Sequence, residues 1–146
     1  SALDLRGDHD FNTAFVTQGV TTFPVTVLRD GFGKDRPAQV GACSFGEMRD
    51  ALLSAQTAGK QDFVIVSHNF ERLISGSSAP DWIVVRRFES LCAYLAKHAD
   101  RFKVRGFGED LRLAVSGTPT DDAPSASWPS TCTRHFEQLR RRFHLA

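Results

Sequence analysis

A chain of 146 residues with 41% hydrophobic content can bury one ordinary core and is short for two domains. Eighteen basic residues against seventeen acidic ones leave a formal charge of +1, which excludes the strong global field that draws nucleic acid or a membrane surface. No run approaches the roughly eighteen apolar residues of a membrane helix, no signal peptide is visible, and Cys43, Cys92 and Cys132 are too widely spaced for a disulfide framework or a paired zinc motif.

Residues 1–21 are polar and mixed and predict a loop-rich entry with a short edge strand near Ala14, Phe15 and Val16. Phe23 to Leu28 is the first clear strand, with Pro24 near its start where a missing N–H is tolerated. The Gly, Asp and Pro cluster from Asp30 to Pro37 follows as a loop, and Ala38 to Cys43 is a short extended segment. Ser44-Phe45-Gly46-Glu47 then matches a capping box, which predicts a helix ending at Gly59. Met48, Ala51, Leu52 and Ala55 share its packed face.

Asp62 to Glu71 is the most informative stretch. Phe63-Val64-Ile65-Val66 is β-branched and apolar, stops at Ser67-His68-Asn69, and reads as a strand covered on both faces at the centre of an α/β domain. A second helix runs from about Asp81 to Ala99, with Val84, Phe88, Leu91 and Leu95 on one stripe, Val85 and Cys92 widening it, and Arg86, Arg87, Glu89 and Lys97 in water. Cys43 and Cys92 are expected in the core. Phe102 to Phe107 alternates like a short strand, and Gly108-Glu109-Asp110 turns the chain into Leu111 to Val115.

Residues 117–130 have a connector's composition, which Trp128 is expected to pin to the body, and 131–146 form a basic amphipathic helix. Phe136, Leu139 and Phe143 mark the apolar stripe of that helix; Arg134, Arg140, Arg141 and Arg142 form a basic face that either meets an anionic partner or is simply solvated. Residues 1–116 are then one α/β domain. Strand and helix alternate as in βαβ units, which implies a largely parallel sheet with fewer strands than a closed barrel needs: a partial (β/α) barrel or half-barrel with an extra C-terminal helix.

Candidate chemistry gathers where parallel strands end, because α/β sheets bind at their carboxyl edges. His68 sits at such an end and can move a proton near neutral pH, or serve as a hydrogen-bonded loop histidine. Asn69 and Glu71 can orient the ring or bind a polar ligand, and Asp30, beside Arg29 at the exit of an earlier strand, can join the same mouth. Asp8-His9-Asp10 has metal-ligating side chains, but neighbours on an extended chain point apart. Gly31-Phe32-Gly33 lacks the third glycine of a dinucleotide loop, and no G-x-S-x-G, H-E-x-x-H or Walker pattern occurs.

Phe23-Pro24-Val25-Thr26, Arg36-Pro37-Ala38-Gln39, Ala42-Cys43-Ser44 with Glu47, Phe63 to Glu71 and Arg87 to Cys92 occur in that order. Together, over residues 20–110, they resemble the C-terminal half of bacterial polysaccharide deacetylases, the NodB-homology carbohydrate esterases. The resemblance implies a distorted (β/α) barrel in which a metal-bound water attacks the N-acetyl carbonyl of an amino-sugar polymer. His68 matches the late histidine that protonates the leaving amine. The Asp-Asp and paired-histidine motifs of that family are missing here and would lie before Ser1. The expectation is therefore a fragment that holds no cofactor of its own, its parent binding a zinc-like divalent metal and a polysaccharide. Open sheet edges lead us to expect a homo-oligomer or pairing with the missing N-terminal half, with no nucleic acid and no membrane span. The alternative from the residues alone is a non-catalytic α/β binding or assembly module.

Overall fold

The computed structural model describes residues 12–106 and 123–143. Asp8-His9-Asp10 and the Leu111 to Val115 segment lie outside them. Two short hairpins come first. β1 (Phe15–Thr17) pairs antiparallel with β2 (Val20–Thr22) through a two-residue turn, Gln18-Gly19, with φ of 51° and 77°. Both turn residues occupy the left-handed region, whose twist suits a tight hairpin. β3 (Val27–Arg29) pairs antiparallel with β4 (Asp35–Pro37). Their loop is stitched by the Asp30 carboxylate, which accepts from the backbone N–H groups of Phe32 and Lys34, both at 2.9 Å.

The apolar run after Lys60 is extended but builds little ladder. Its Val64 carbonyl accepts from Thr26 N–H, and Val66 lies between Ala38 and Val40, with one parallel bridge to Gln39. Residues 63–67 are half-buried rather than covered on both faces. The chain is thus a mixed α/β fold in which the named strands pair antiparallel, parallel pairing is confined to single bridges, and no barrel closes among the described residues. β-propensity favoured an extended backbone here, but a full ladder needs neighbours that the described chain does not supply.

α1 (Phe45–Thr57) starts with the predicted capping box: Ser44 Oγ accepts from Glu47 N–H, and Glu47 accepts in return from Ser44 N–H. Gly59, at φ 70°, leads the chain away beyond its last turn. Met48, Ala51, Leu52 and Ala55 are buried, the first three packed with Leu28 of β3, with Ala38, Val40 and Cys43 and with Val84 and Leu91 of α2 (Trp82–Lys97). Asp81 caps α2 by accepting from the N–H groups of Ile83 and Val84. Between them a short 3-10 turn, Asn69–Arg72, is held by Arg72, whose guanidinium lies 4.2 Å over the Phe88 ring. Phe102 to Gly106 forms no strand and is exposed apart from Phe102.

α3 (Trp128–Phe143) departs most from the expectation. Phe136, Leu139 and Phe143, the anticipated docking stripe, are 63%, 53% and 72% exposed, whereas Ser130, Thr131 and Arg134 are buried. The helix docks through its polar face because the surface it meets is polar. Arg134 Nε donates to Glu47 Oε1 and its Nη2 to Asp30 Oδ2, each at 2.9 Å. Thr131 donates to Glu47, and Ser130 and Ser127 donate to Asp50. Arg87, expected in water, is also buried; it donates to Glu137 on α3 and to the Gly41 carbonyl. Just before the helix, Pro124 and Ala126 are buried and pair with the backbone of Arg29. The Trp128 side chain, expected to pin this junction, is exposed and meets Phe32 only edge-on at 6.5 Å; the Pro124 and Ala126 backbone bonds to Arg29 hold it instead.

Cys43 is buried, as expected, but Cys92 is exposed because it lies on the outer edge of the α2 stripe. Burial, aided by the nearby Glu47 charge, pushes the Cys43 thiol up to about 11. Cys92 is expected to be alkylated by iodoacetamide at neutral pH while Cys43 stays unlabelled until denaturant is added, read by peptide mass mapping. Equal labelling rates for the two would contradict this packing.

Candidate functional site

Because Ala38 to Val40 and Val64 to Val66 run parallel, their carboxyl ends emerge together. One end leads into Gly41 and Ala42, the other into His68 and the 3-10 turn. Between them lies a shallow cleft of about 390 Å³, lined by Gln39, Gly41, Phe70, Glu71, Ser75 and Arg141 among others.

Glu71 is the fixed group of this cleft. Gln39 Nε2 donates to its Oε1, and its Oε2 accepts a long 3.4 Å bond from His68 N–H. A Cβ at Gly41 would stand 3.0 Å from the Glu71 carboxylate, so that side chain would have to shift slightly to admit one. A half-buried carboxylate held from two sides presents a fixed acceptor edge to a polar ligand. His68 stands on the rim with its ring exposed and stacked on Phe70, centroids 5.0 Å apart and 11° from parallel. An imidazole is suited to proton transfer near neutral pH. Asn69 accepts from Phe70 N–H at 2.9 Å, which makes it first a turn-former, although its side chain remains exposed.

The structure therefore gathers His68, Asn69 and Glu71 on one turn. Asp30 belongs elsewhere: it is 3% exposed and filled by Arg36, Arg134 and two backbone N–H groups, and it shares no hydrogen bond with the other three. Burial alone would raise the Asp30 carboxyl, but the Lys34 N–H, the Arg36 guanidinium and the Phe32 N–H outweigh it and hold it below 3.8. Gln39, Phe70 and Arg141 also line the cleft and were not among the candidate site residues. Gln39 had a usable signal, since it lies within an extended segment, whereas Arg141 arrives from a helix far along the chain.

Among the described residues no group of three or more His, Cys, Asp or Glu side chains is arranged to hold a metal ion, so these residues do not fit a metal centre by themselves. No described helix is long and apolar enough to cross a membrane. No family model, curated protein or solved structure matches the chain.

Proposed function

We propose that this chain is the C-terminal part of a polysaccharide deacetylase-like hydrolase that removes N-acetyl groups from an amino-sugar polymer, a half-barrel whose metal half lies on the remainder of the parent protein. The observation that carries it is the shared carboxyl end of two parallel segments, where Gln39, Glu71 and Phe70 line one cleft and His68 stacks on Phe70 beside it. In this reading His68 gives a proton to the leaving amine, its ring steadied by Phe70, while Glu71 and Asn69 accept hydrogen bonds from sugar hydroxyls. Asp30, the fourth candidate, anchors the fold instead. A metal in the parent would supply the activated water; no residue described here would ligate it.

The test is acetate release from N-acetylated amino-sugar oligomers by the natural gene product and its His68→Ala variant. The variant is expected to lose about 10²-fold to 10⁴-fold in kcat with unchanged far-UV circular dichroism. Equal rates, or a gene product lacking an Asp-Asp motif and paired histidines, would sink the reading. A second reading, a non-catalytic assembly module, draws on the exposed α3 stripe. It predicts a dimer by sedimentation that becomes monomeric on Phe136→Ser with Phe143→Ser.

A further inference from the structure

We infer that the groove between the start of α2 and the C-terminal half of α3 binds an acidic oligosaccharide, a glycan whose units carry carboxylates. The groove has a volume of about 930 Å³, within the range of small-ligand sites. Arg86 enters it from α2, and Arg140, Arg141 and Arg142 from α3. Arg141 is committed to Asp81 at 2.6 Å. Arg86, Arg140 and Arg142 have no acidic partner among the described residues; Arg72, Arg101 and Arg105 also have none but do not line the groove, and Arg29, Arg36, Arg49, Arg87 and Arg134 each have one. With a whole-chain charge of only +1, this is a local excess of unspent guanidinium groups directed at one groove. Planar guanidinium groups suit carboxylates because their paired N–H groups match both oxygens.

Trp82 supplies the second half of the recognition. It lines the same groove and is 63% exposed, so its face is open to a ligand there. A flat aromatic face beside charged donors fits the apolar C–H face of a sugar ring whose substituents are acidic. Length follows from continuity: Ser75 and Arg141 line both this groove and the cleft beside Glu71. A ligand spanning both is an oligomer. No described strand lines either cavity, which removes strand addition as a way of holding a peptide. The inference rests on the glycan-acting reading above and adds the charge class of its polymer.

The test is isothermal titration of the full chain with hexagalacturonate, the neutral chitin hexamer, a polyglutamate peptide and a single-stranded oligonucleotide as probes. Hexagalacturonate is expected to bind saturably and more tightly than the other three. Arg86→Gln with Arg142→Gln, and separately Trp82→Ala, are each expected to weaken it roughly fivefold to tenfold, with circular dichroism unchanged. Absence of saturable binding at millimolar ligand, equal binding of the neutral hexamer, tighter binding of the peptide or oligonucleotide, or unaltered affinity in the variants would each overturn it. Hydrolysis is not read, so a failure here leaves the deacetylase reading standing. If the natural gene product releases no acetate while acidic binding is intact, the deacetylase reading falls and glycan binding at this groove still stands.

Discussion

Replacing Arg134 by methionine is expected to lower the unfolding free energy by about 3–5 kcal/mol, measured by urea denaturation. Arg134 is 1% exposed and lies between Glu47 and Asp30, at 0% and 3%. Methionine fills much of the same volume but leaves buried carboxylates short of their shared cation, and that uncompensated charge is the source of the loss. Asp30 keeps Arg36 and its backbone donors, and Glu47 keeps Thr131 and Ser44, so the lower end of the range is favoured. Adding Glu47→Gln to the Arg134→Met variant is expected to recover part of the stability, since it removes one orphaned charge. A loss below about 1 kcal/mol in the single variant would mean the triad is solvated and mispositioned.

The same network gives the wild-type chain a pH dependence of definite sign. Asp30 and Asp50 both titrate below 3.8 when folded: burial opposes this in each, and is outweighed by backbone and Arg36 donors at Asp30 and by Ser127, Ser130 and Arg49 at Asp50. A carboxyl depressed on folding contributes stability that is fully present above its unfolded value and lost as pH falls toward the folded one. The urea midpoint is therefore expected to drop as pH is lowered through 3.8, with these two carboxyls adding no slope well above it. A midpoint that rises on acidification through that window would contradict the assignment.

Gly31→Ala should be nearly as damaging, by about 3 kcal/mol, for a steric reason. A Cβ at position 31 would stand 2.4 Å from Trp128 Cα and 2.6 Å from its backbone nitrogen, so main chain rather than a flexible side chain would have to retreat. The first turn of α3 sits there, and Gly31 N–H also donates to Thr131 at 2.8 Å. Displacing it pulls Thr131 and Arg134 away from Glu47. Gly33→Ala is the control: its φ of 80° strains any L side chain, yet no atom lies within 4 Å, so about 1 kcal/mol is expected. If Gly31→Ala proves no worse than the control, the close approach of loop and helix is incorrect.

Local chemistry was legible where it depends on neighbours in sequence. The Ser44 and Glu47 capping box and the Met48, Ala51, Leu52, Ala55 face act over a turn or two of helix, and the residues alone specify them. His68, Asn69 and Glu71 fall on one turn for the same reason. Apolar periodicity misplaced Cys92, and it misjudged α3 entirely, because it assumes the facing surface is apolar. Asp30 comes from a loop and Glu47 and Asp50 from α1, and no local pattern announces that the loop and the helix share a surface with α3. Only their meeting made a polar helix face the buried one, turned Phe136 and Phe143 outward and took Asp30 from the candidate cleft into the core. The sequence by itself determined the helices and the capping box of α1, since these follow from short-range bonding. Tertiary structure decided which face of α3 is inside, which arginines are spent in ion pairs and which remain for a ligand, since burying a charge is favourable only where its partner already waits.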